Sequence, residues 1–340
     1  SVSRGLGDVY KRQDIFFQLK DLWIKFGPAG KSYPVVKGIN LNIERGKVLG
    51  LVGESGCGKS VTMLSSMGLL PKNNCEVTGN VLFDGQELNG LPDKEFQKIR
   101  GKRISMVFQE PMTSLNPVFT VGQQLSEVLE QHLNMTGQAN KAKCLELLNL
   151  VSIPDPASVY DYYPFKLSGG MRQRVMIAMA LACDPELVIA DEPTTALDVT
   201  TQAQIIDLFK ELQKKLNTTI IFISHDLGVI GEISDNIAVL YAGYVMEECD
   251  TKTLFRNPLH PYTFGLMSSR MGRSLKNKGK LYSIPGMVPS AENMPAGCPF
   301  APRCLKAGGQ CACEIPPLVE VEPGHKVRCW EVTNHVEATD

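Results

Sequence analysis

No stretch of this 340-residue chain approaches the ~20 consecutive apolar residues that a membrane-spanning helix requires. The longest apolar runs, such as Leu187–Ala190 and Thr219–Ile223, are short and suit buried parallel strands. Any membrane role must therefore come through a partner. An excess of one charge is also missing. The chain has 35 Lys and Arg against 36 Asp and Glu, a net −1, so nothing marks it as a basic nucleic-acid binder. The N-terminus lacks the order of charge, apolar run and small-residue cleavage site that makes a secretory signal. Residues 1–13 are rich in Gly, Ser and charge, and are expected to be a disordered or artefactual leader outside the fold. Tandem repeats and long low-complexity tracts are absent as well.

What is present points to an α/β protein with an appendage. Hydrophobic residues make up 43%, enough for a sizeable core, and the length suggests two domains or one domain plus a smaller module. From Ile15 to Ile43 apolar and polar residues alternate between Gly and Pro breaks, which predicts antiparallel strands. Lys47–Val52 predicts a short buried strand, which runs through Gly53–Ser60 into a predicted helix from Val61 to Leu70. Residues Thr120–Val151 show helical spacing (Leu125, Val128, Leu129, Leu133) and are read as a helical insertion, about 110–175 in extent. Leu187–Asp191 and Thr219–Ser224 are further buried strands with a predicted helix, Thr201–Leu216, between them, a βαβ pattern. Near Cys249–Phe255 the composition shifts. Pro and Gly become frequent, and five of the ten cysteines fall between Cys298 and Cys329. The other five are scattered as incidental thiols would be.

Three segments carry chemistry. Gly53, Glu54, Ser55, Gly56, Cys57, Gly58, Lys59 and Ser60 fit G-x-x-x-x-G-K-[ST]. The glycines let backbone N–H groups turn inward around phosphates, and Lys59 offers a positive charge. The Ser60 hydroxyl is placed to ligate Mg²⁺, and the following helix directs its N-terminus at the anion. Leu187–Ala190 is an apolar strand that ends in Asp191 and Glu192. Buried strands do not end in adjacent acids without cause, because an unpaired carboxylate is costly to bury. Asp191 can hold Mg²⁺ through water, and Glu192 can polarise an attacking water. Finally, Ser168, Gly169 and Gly170 precede an apolar helix and make a second anion site of free N–H groups and a hydroxyl. One chain has no need of two such sites, so the pair makes sense if two subunits sandwich each nucleotide.

In their order along the chain these segments, with Gln109, Ala196-Leu197-Asp198 and His225, resemble the ATPases of the ABC family over about Ile15–Glu248. The resemblance implies a RecA-like P-loop core with an antiparallel β-subdomain and a helical insertion, together occupying 14–254. The implied cofactors are ATP and Mg²⁺. Gln109 resembles the residue that contacts Mg²⁺ and water and reports to the membrane partner. Asp198 resembles the loop acid that crosses the dimer interface, and His225 the switch histidine at the γ-phosphate. An aromatic that stacks on adenine is also implied, with Tyr33 the choice and Phe26 the alternative. The residue after Gly170 is Met171 rather than the commoner Gln, a variant familiar in the peptide branch.

Phe108-Gln-Glu-Pro-Met-Thr-Ser-Leu-Asn-Pro117, His260-Pro-Tyr-Thr263 and the Pro- and Cys-rich tail are similar to the peptide and nickel importers of that family. The tail implies a C-terminal oligopeptide-transporter-type module over 255–340. Its cysteines Cys298, Cys304, Cys311 and Cys329 lack the close pairs of zinc fingers. Four thiolates suit a [4Fe–4S] centre, as some relatives with this tail carry, with Cys313 as the spare. Zinc and free structural thiols are the other readings. The cluster is expected to sit far from the ATP site, with a structural or docking role. The implied function is MgATP hydrolysis that energises uptake of di- or oligopeptides, on the cytoplasmic face of the inner membrane. The implied partners are a second ATPase subunit (identical or a paralogue), two permease subunits and, indirectly, an extracytoplasmic solute-binding protein, with no nucleic acid. Rival readings are an importer of nickel, glutathione or another small solute, and a soluble ABC ATPase outside transport.

Overall fold

The computed structural model describes residues 15–28, 31–110, 114–195, 197–270 and 284–337. The proposed leader, Ala196 and residues 111–113 of the Gln109 segment lie outside these. The described residues form twelve strands: β1 (Ile15–Phe26), β2 (Tyr33–Glu44), β3 (Val48–Val52), β4 (Cys75–Phe83), β5 (Gln86–Glu87), β6 (Ile104–Val107), β7 (Leu187–Asp191), β8 (Thr219–Ser224), β9 (Asn236–Tyr241), β10 (Tyr244–Asp250), β11 (Val319–Glu322) and β12 (His325–Val327). The chain folds into two compact units. One comprises the segments up to Glu44, Val48–Asn89 and from Ser224 onward; the other comprises Arg45–Lys47 and Gly90–Ile223.

The first unit contains an antiparallel sheet in the order β2-β1-β4-β5. On β1 the inward residues are Phe17, Leu19, Leu22 and Ile24, with a register shift between Leu19 and Leu22. Asp21 sits there at φ 46°, so one irregularity keeps apolar side chains on the core face on both sides of it. In the same unit β3 pairs parallel to β9, and β9, β10, β12 and β11 continue antiparallel. All five residues of β3 are buried, as a strand covered on both faces requires.

The helix after β3 spans Lys59–Ser66, shorter than the Val61–Leu70 expected from its apolar residues. Gly68 at φ 58° stops it. Its N–H bonds the Ser65 carbonyl at 2.9 Å and the Leu69 N–H bonds Leu64 at 2.9 Å, a Schellman closure that only a left-handed residue permits cheaply.

The second unit has β6, β7 and β8 in parallel, with the helix Val199–Leu216 as the crossover between the last two. The helices Val121–Leu133 and Gly137–Leu150 lie within the predicted helical region. Thr120 and Gln123 form a complete capping box at the start of the first. No described helix is long and apolar enough to cross a membrane.

Candidate functional site

In the first unit, the loop from Gly53 to Gly58 joins β3 to the helix Lys59–Ser66. Two of its glycines are obligatory. A Cβ on Gly53 would stand 2.1 Å from the Leu240 carbonyl oxygen, and Gly58, at φ 101°, caps the helix in a conformation L side chains rarely adopt. Ser55 and Gly56 are exposed, Cys57 is buried, and Ser60 is half-buried on the first turn. The Lys59 ammonium is buried and donates to the Gly53 carbonyl at 2.7 Å and the Glu54 carbonyl at 3.2 Å. Lys59 thus closes the loop on itself and holds a positive charge inside it. Tyr33 and Phe26, the two aromatic candidates, are cross-strand partners on β2 and β1. A Cβ on Gly58 would meet the Val35 carbonyl at 3.2 Å, so β2 passes beside the loop two residues after Tyr33. His225 is exposed at the end of β8. The turn that carries it is fixed by Asp226, whose N–H bonds the Ser224 hydroxyl at 3.0 Å and whose carboxylate accepts from the Gly228 N–H at 2.8 Å.

In the second unit, Asp191 ends β7 and is buried. Glu192 follows at φ 47°, a left-handed conformation that costs a non-glycine residue about 1–3 kcal/mol and clusters at functional sites. Its Oε2 accepts from the Gln109 amide at 3.2 Å and from the Thr195 hydroxyl at 2.9 Å. The structure therefore brings together Gln109 and Glu192. Thr195 was not anticipated from sequence; its only signal is a hydroxyl three residues after the acid.

The second anion segment is also a helix start. Ser168 caps Gly169–Leu181 by accepting from the Met171 N–H at 3.3 Å. Asp198 caps Val199–Leu216, accepting from the Thr201 N–H at 2.9 Å and its hydroxyl at 2.7 Å, and these bonds hold its carboxyl below the usual carboxylate range. The two caps meet. A Cβ on Gly170 would come within 2.7 Å of the Thr201 methyl group, and one on Gly169 within 3.8 Å of Leu197.

From the tail, Arg303, next to Cys304, forms a two-pronged ion pair with Glu54 of the phosphate loop, and the Glu54 N–H donates to the Tyr262 hydroxyl at 2.9 Å. The reason is the pairing of β12 with β10, which folds the tail back onto the first unit. Buried Glu247 on β10 secures this return, bonding His325 Nε2 on β12 at 2.8 Å and the Leu259 N–H at 2.8 Å.

Cys298, Cys304, Cys311 and Cys329 line one small cavity of about 30 Å³, whereas Cys313 is exposed and outside it. Burial and the neighbouring thiols push the Cys298 thiol up to about 11, and burial is the main cause that raises Cys304 and Cys329 too. Among the described residues, no three His, Cys, Asp or Glu side chains converge as ligands of one metal ion.

Comparison with known proteins agrees with these features. The ABC transporter family model matches residues 36–195, and the model of the oligopeptide/dipeptide transporter C-terminal region matches 246–311. The dipeptide transport ATP-binding protein DppD of Bacillus subtilis is 47% identical over 313 residues, covering 92% of this chain and 93% of that protein. The oligopeptide transport ATP-binding protein OppD of Escherichia coli is 44% identical over 321 residues, covering 94% of each. A dimeric, post-hydrolysis structure of the ATP-binding cassette MJ0796 with ADP and Pi is similar at TM-score 0.62 and 30% identity, covering 69% of this chain and 99% of that one. A mixed α/β cassette followed by this tail, with both parts matched in order, places the chain in the ABC transporter family among the ATP-binding subunits that carry the oligopeptide/dipeptide C-terminal region.

Proposed function

We propose that this chain hydrolyses MgATP as one of a pair of cassettes and so energises uptake of di- or oligopeptides through membrane permease subunits. The observation that carries the peptide reading is the match to the oligopeptide/dipeptide C-terminal region, alongside relatives named for dipeptide and oligopeptide transport that align along nearly the whole chain. Lys59 and the loop amides from Gly53 to Gly58 bind the phosphates, and Tyr33 stacks on the adenine. Ser60, Gln109 and Asp191 serve Mg²⁺, Glu192 polarises the attacking water, and His225 senses the γ-phosphate. Ser168, Gly169, Gly170 and Asp198 act on nucleotide held by the partner cassette, identical or a paralogue. The cassette occupies 14–254, with its helical insertion at about 110–175 and a C-terminal module from 255 on.

A membrane partner needs a surface to hold. Phe108, Val118, Phe119 and Phe165 are large apolar side chains left exposed in the second unit, which suits docking of permease segments at the cytoplasmic face of the membrane. Two permeases and, beyond them, an extracytoplasmic peptide-binding protein complete the assembly. The test is reconstitution in vesicles with the permease pair and the binding protein. Peptide-loaded binding protein should raise ATP turnover several-fold; turnover that ignores peptide but answers to nickel or glutathione would replace the substrate.

Cys298, Cys304, Cys311 and Cys329 would hold a [4Fe–4S] cluster, which supplies a covalent staple for a tail with little core of its own. Their common cavity and the exposure of Cys313 support that ligand set. Anaerobically purified protein should be brown. Cys→Ser at any of the four should remove the colour, and Cys313→Ser should keep it; colourless protein with one zinc per chain would overturn the cluster.

A further inference from the structure

Glu54 is a problem for a phosphate loop. A carboxylate carried by the loop opposes, by its charge, the triphosphate the loop would bind. The answer lies 249 residues away in sequence. Arg303 grips both Glu54 oxygens: Nη1 donates to Oε2, and Nη2 donates to Oε1 at 3.0 Å. The rest of the guanidinium is locked in turn. Nε donates to the Pro285 carbonyl at 2.7 Å and Nη1 to the Tyr241 hydroxyl at 3.2 Å. The Arg303 side chain is only 5% exposed, so its charge is buried and stands on this pairing. Glu54 is held a second time, through its backbone, by the buried Tyr262 hydroxyl. Phe300 packs on both Tyr241 and Tyr262, with ring centroids 5.3 Å from each. Arg303 itself sits in the short turn Ala301–Arg303, between Cys298 and Cys304 of the cysteine cavity.

We infer that Arg303 is a positioning residue for nucleotide binding: it cancels the charge of Glu54 and fixes the start of the phosphate loop, so that the cysteine-rich tail sets the loop's affinity for ATP. The alternative is an ordinary anchor, in which the ion pair merely fastens the tail and Glu54 has no effect on the phosphates. The two differ in what happens when the carboxylate is removed as well.

The test uses the purified full chain, a fluorescent ATP analogue for affinity, steady-state turnover, and thermal melting as a check on folding. The wild type must bind the analogue first; if it does not, the ATP reading itself fails, separately from this inference. Arg303→Ala should weaken binding on the order of tenfold, by leaving Glu54 uncompensated beside the phosphates. KM should rise in parallel, with kcat within about twofold of wild type, because Arg303 touches neither the attacking water nor the acid that handles it. Arg303→Lys, which keeps the charge and loses the fork, should fall between. Adding Glu54→Gln to Arg303→Ala should recover most of the lost affinity even if the melting temperature stays low. If Arg303→Ala does not fold, Arg303→Gln with and without Glu54→Gln makes the same comparison. Unchanged affinity in the single variant overturns the inference. So does a double variant that binds no better than the single one, which reduces Arg303 to an anchor.

Discussion

Glu192 combines three features at one position: a buried side chain, a left-handed backbone, and a carboxylate oxygen shared between Gln109 and Thr195. Such a group is aimed rather than free to rotate, which is what polarising a single water demands. Glu192→Gln keeps the shape and loses the basicity. Hydrolysis should fall about 10²–10⁴-fold, while ATP affinity, measured by the same fluorescent titration, stays within a few-fold of wild type. Turnover at the wild-type rate would remove Glu192 from the mechanism. The acid itself is legible in sequence, since a buried strand rarely ends in two carboxylates. Its partnership with Gln109 is not, because the two lie 83 residues apart and only the fold makes them neighbours.

At the scale of elements, the decisive feature is the return of the tail. β12 adds to the edge of β10, and the joint is stabilised by one buried acid, Glu247, that bonds the His325 ring and the Leu259 and His260 N–H groups. Removing that acid leaves buried donors without a partner, each at a cost of about 1–3 kcal/mol. Glu247→Ala should therefore lower the unfolding free energy by several kcal/mol, read as a fall in the denaturation midpoint, and open β11 and β12 to hydrogen exchange and protease. Normal protection of the tail in that variant would show that the β10 edge holds it without Glu247. Nothing in the sequence announces this joint. β11 and β12 are four and three residues long and alternate charged with apolar side chains, too short a pattern to separate from loop. The longer elements are a different matter. Leu187–Asp191 and Thr219–Ser224 have the bounds expected, because fully apolar runs flanked by turn residues admit few other structures.

For the whole molecule, two predictions concern behaviour that no single element controls. Glu186 is hydrogen-bonded to Arg103 and to Arg45, and the Arg103 bond is the largest cause that holds its carboxyl below the usual range. A depressed folded value means that the unfolded chain takes up the proton first. The stabilisation is then complete above the unfolded value of about 4.3 and disappears as pH falls through the lower folded value. Acid melts of wild type and Glu186→Gln should converge in that window and separate above it; parallel curves would overturn the assignment. The second prediction concerns pairing. If Ser168 and Gly170 serve the partner's nucleotide, mixing Lys59→Ala with Gly170→Glu subunits should restore partial turnover, since each mixed pair regains one intact site. In a confirmed homodimer, no recovery would count against the shared site; with a paralogue, the two changes belong on the two different chains.

The sequence alone determined the chemistry on offer. A Gly-rich turn between an apolar strand and a helix, a strand that ends in two acids, and a Ser-Gly-Gly helix start are local patterns, and local sterics and hydrogen bonding decide them whatever the rest of the chain does. The stop at Gly68 was equally local and could have been read from that glycine. Tertiary structure alone decided which distant groups meet. It placed Arg303 on Glu54, Gln109 on Glu192, four tail cysteines around one cavity and the exposed Cys313 outside it. Each of these contacts joins residues whose sequence separation carries no periodicity. Their partners are fixed by strand pairing and by the need to satisfy buried charge, and both are properties of the folded chain.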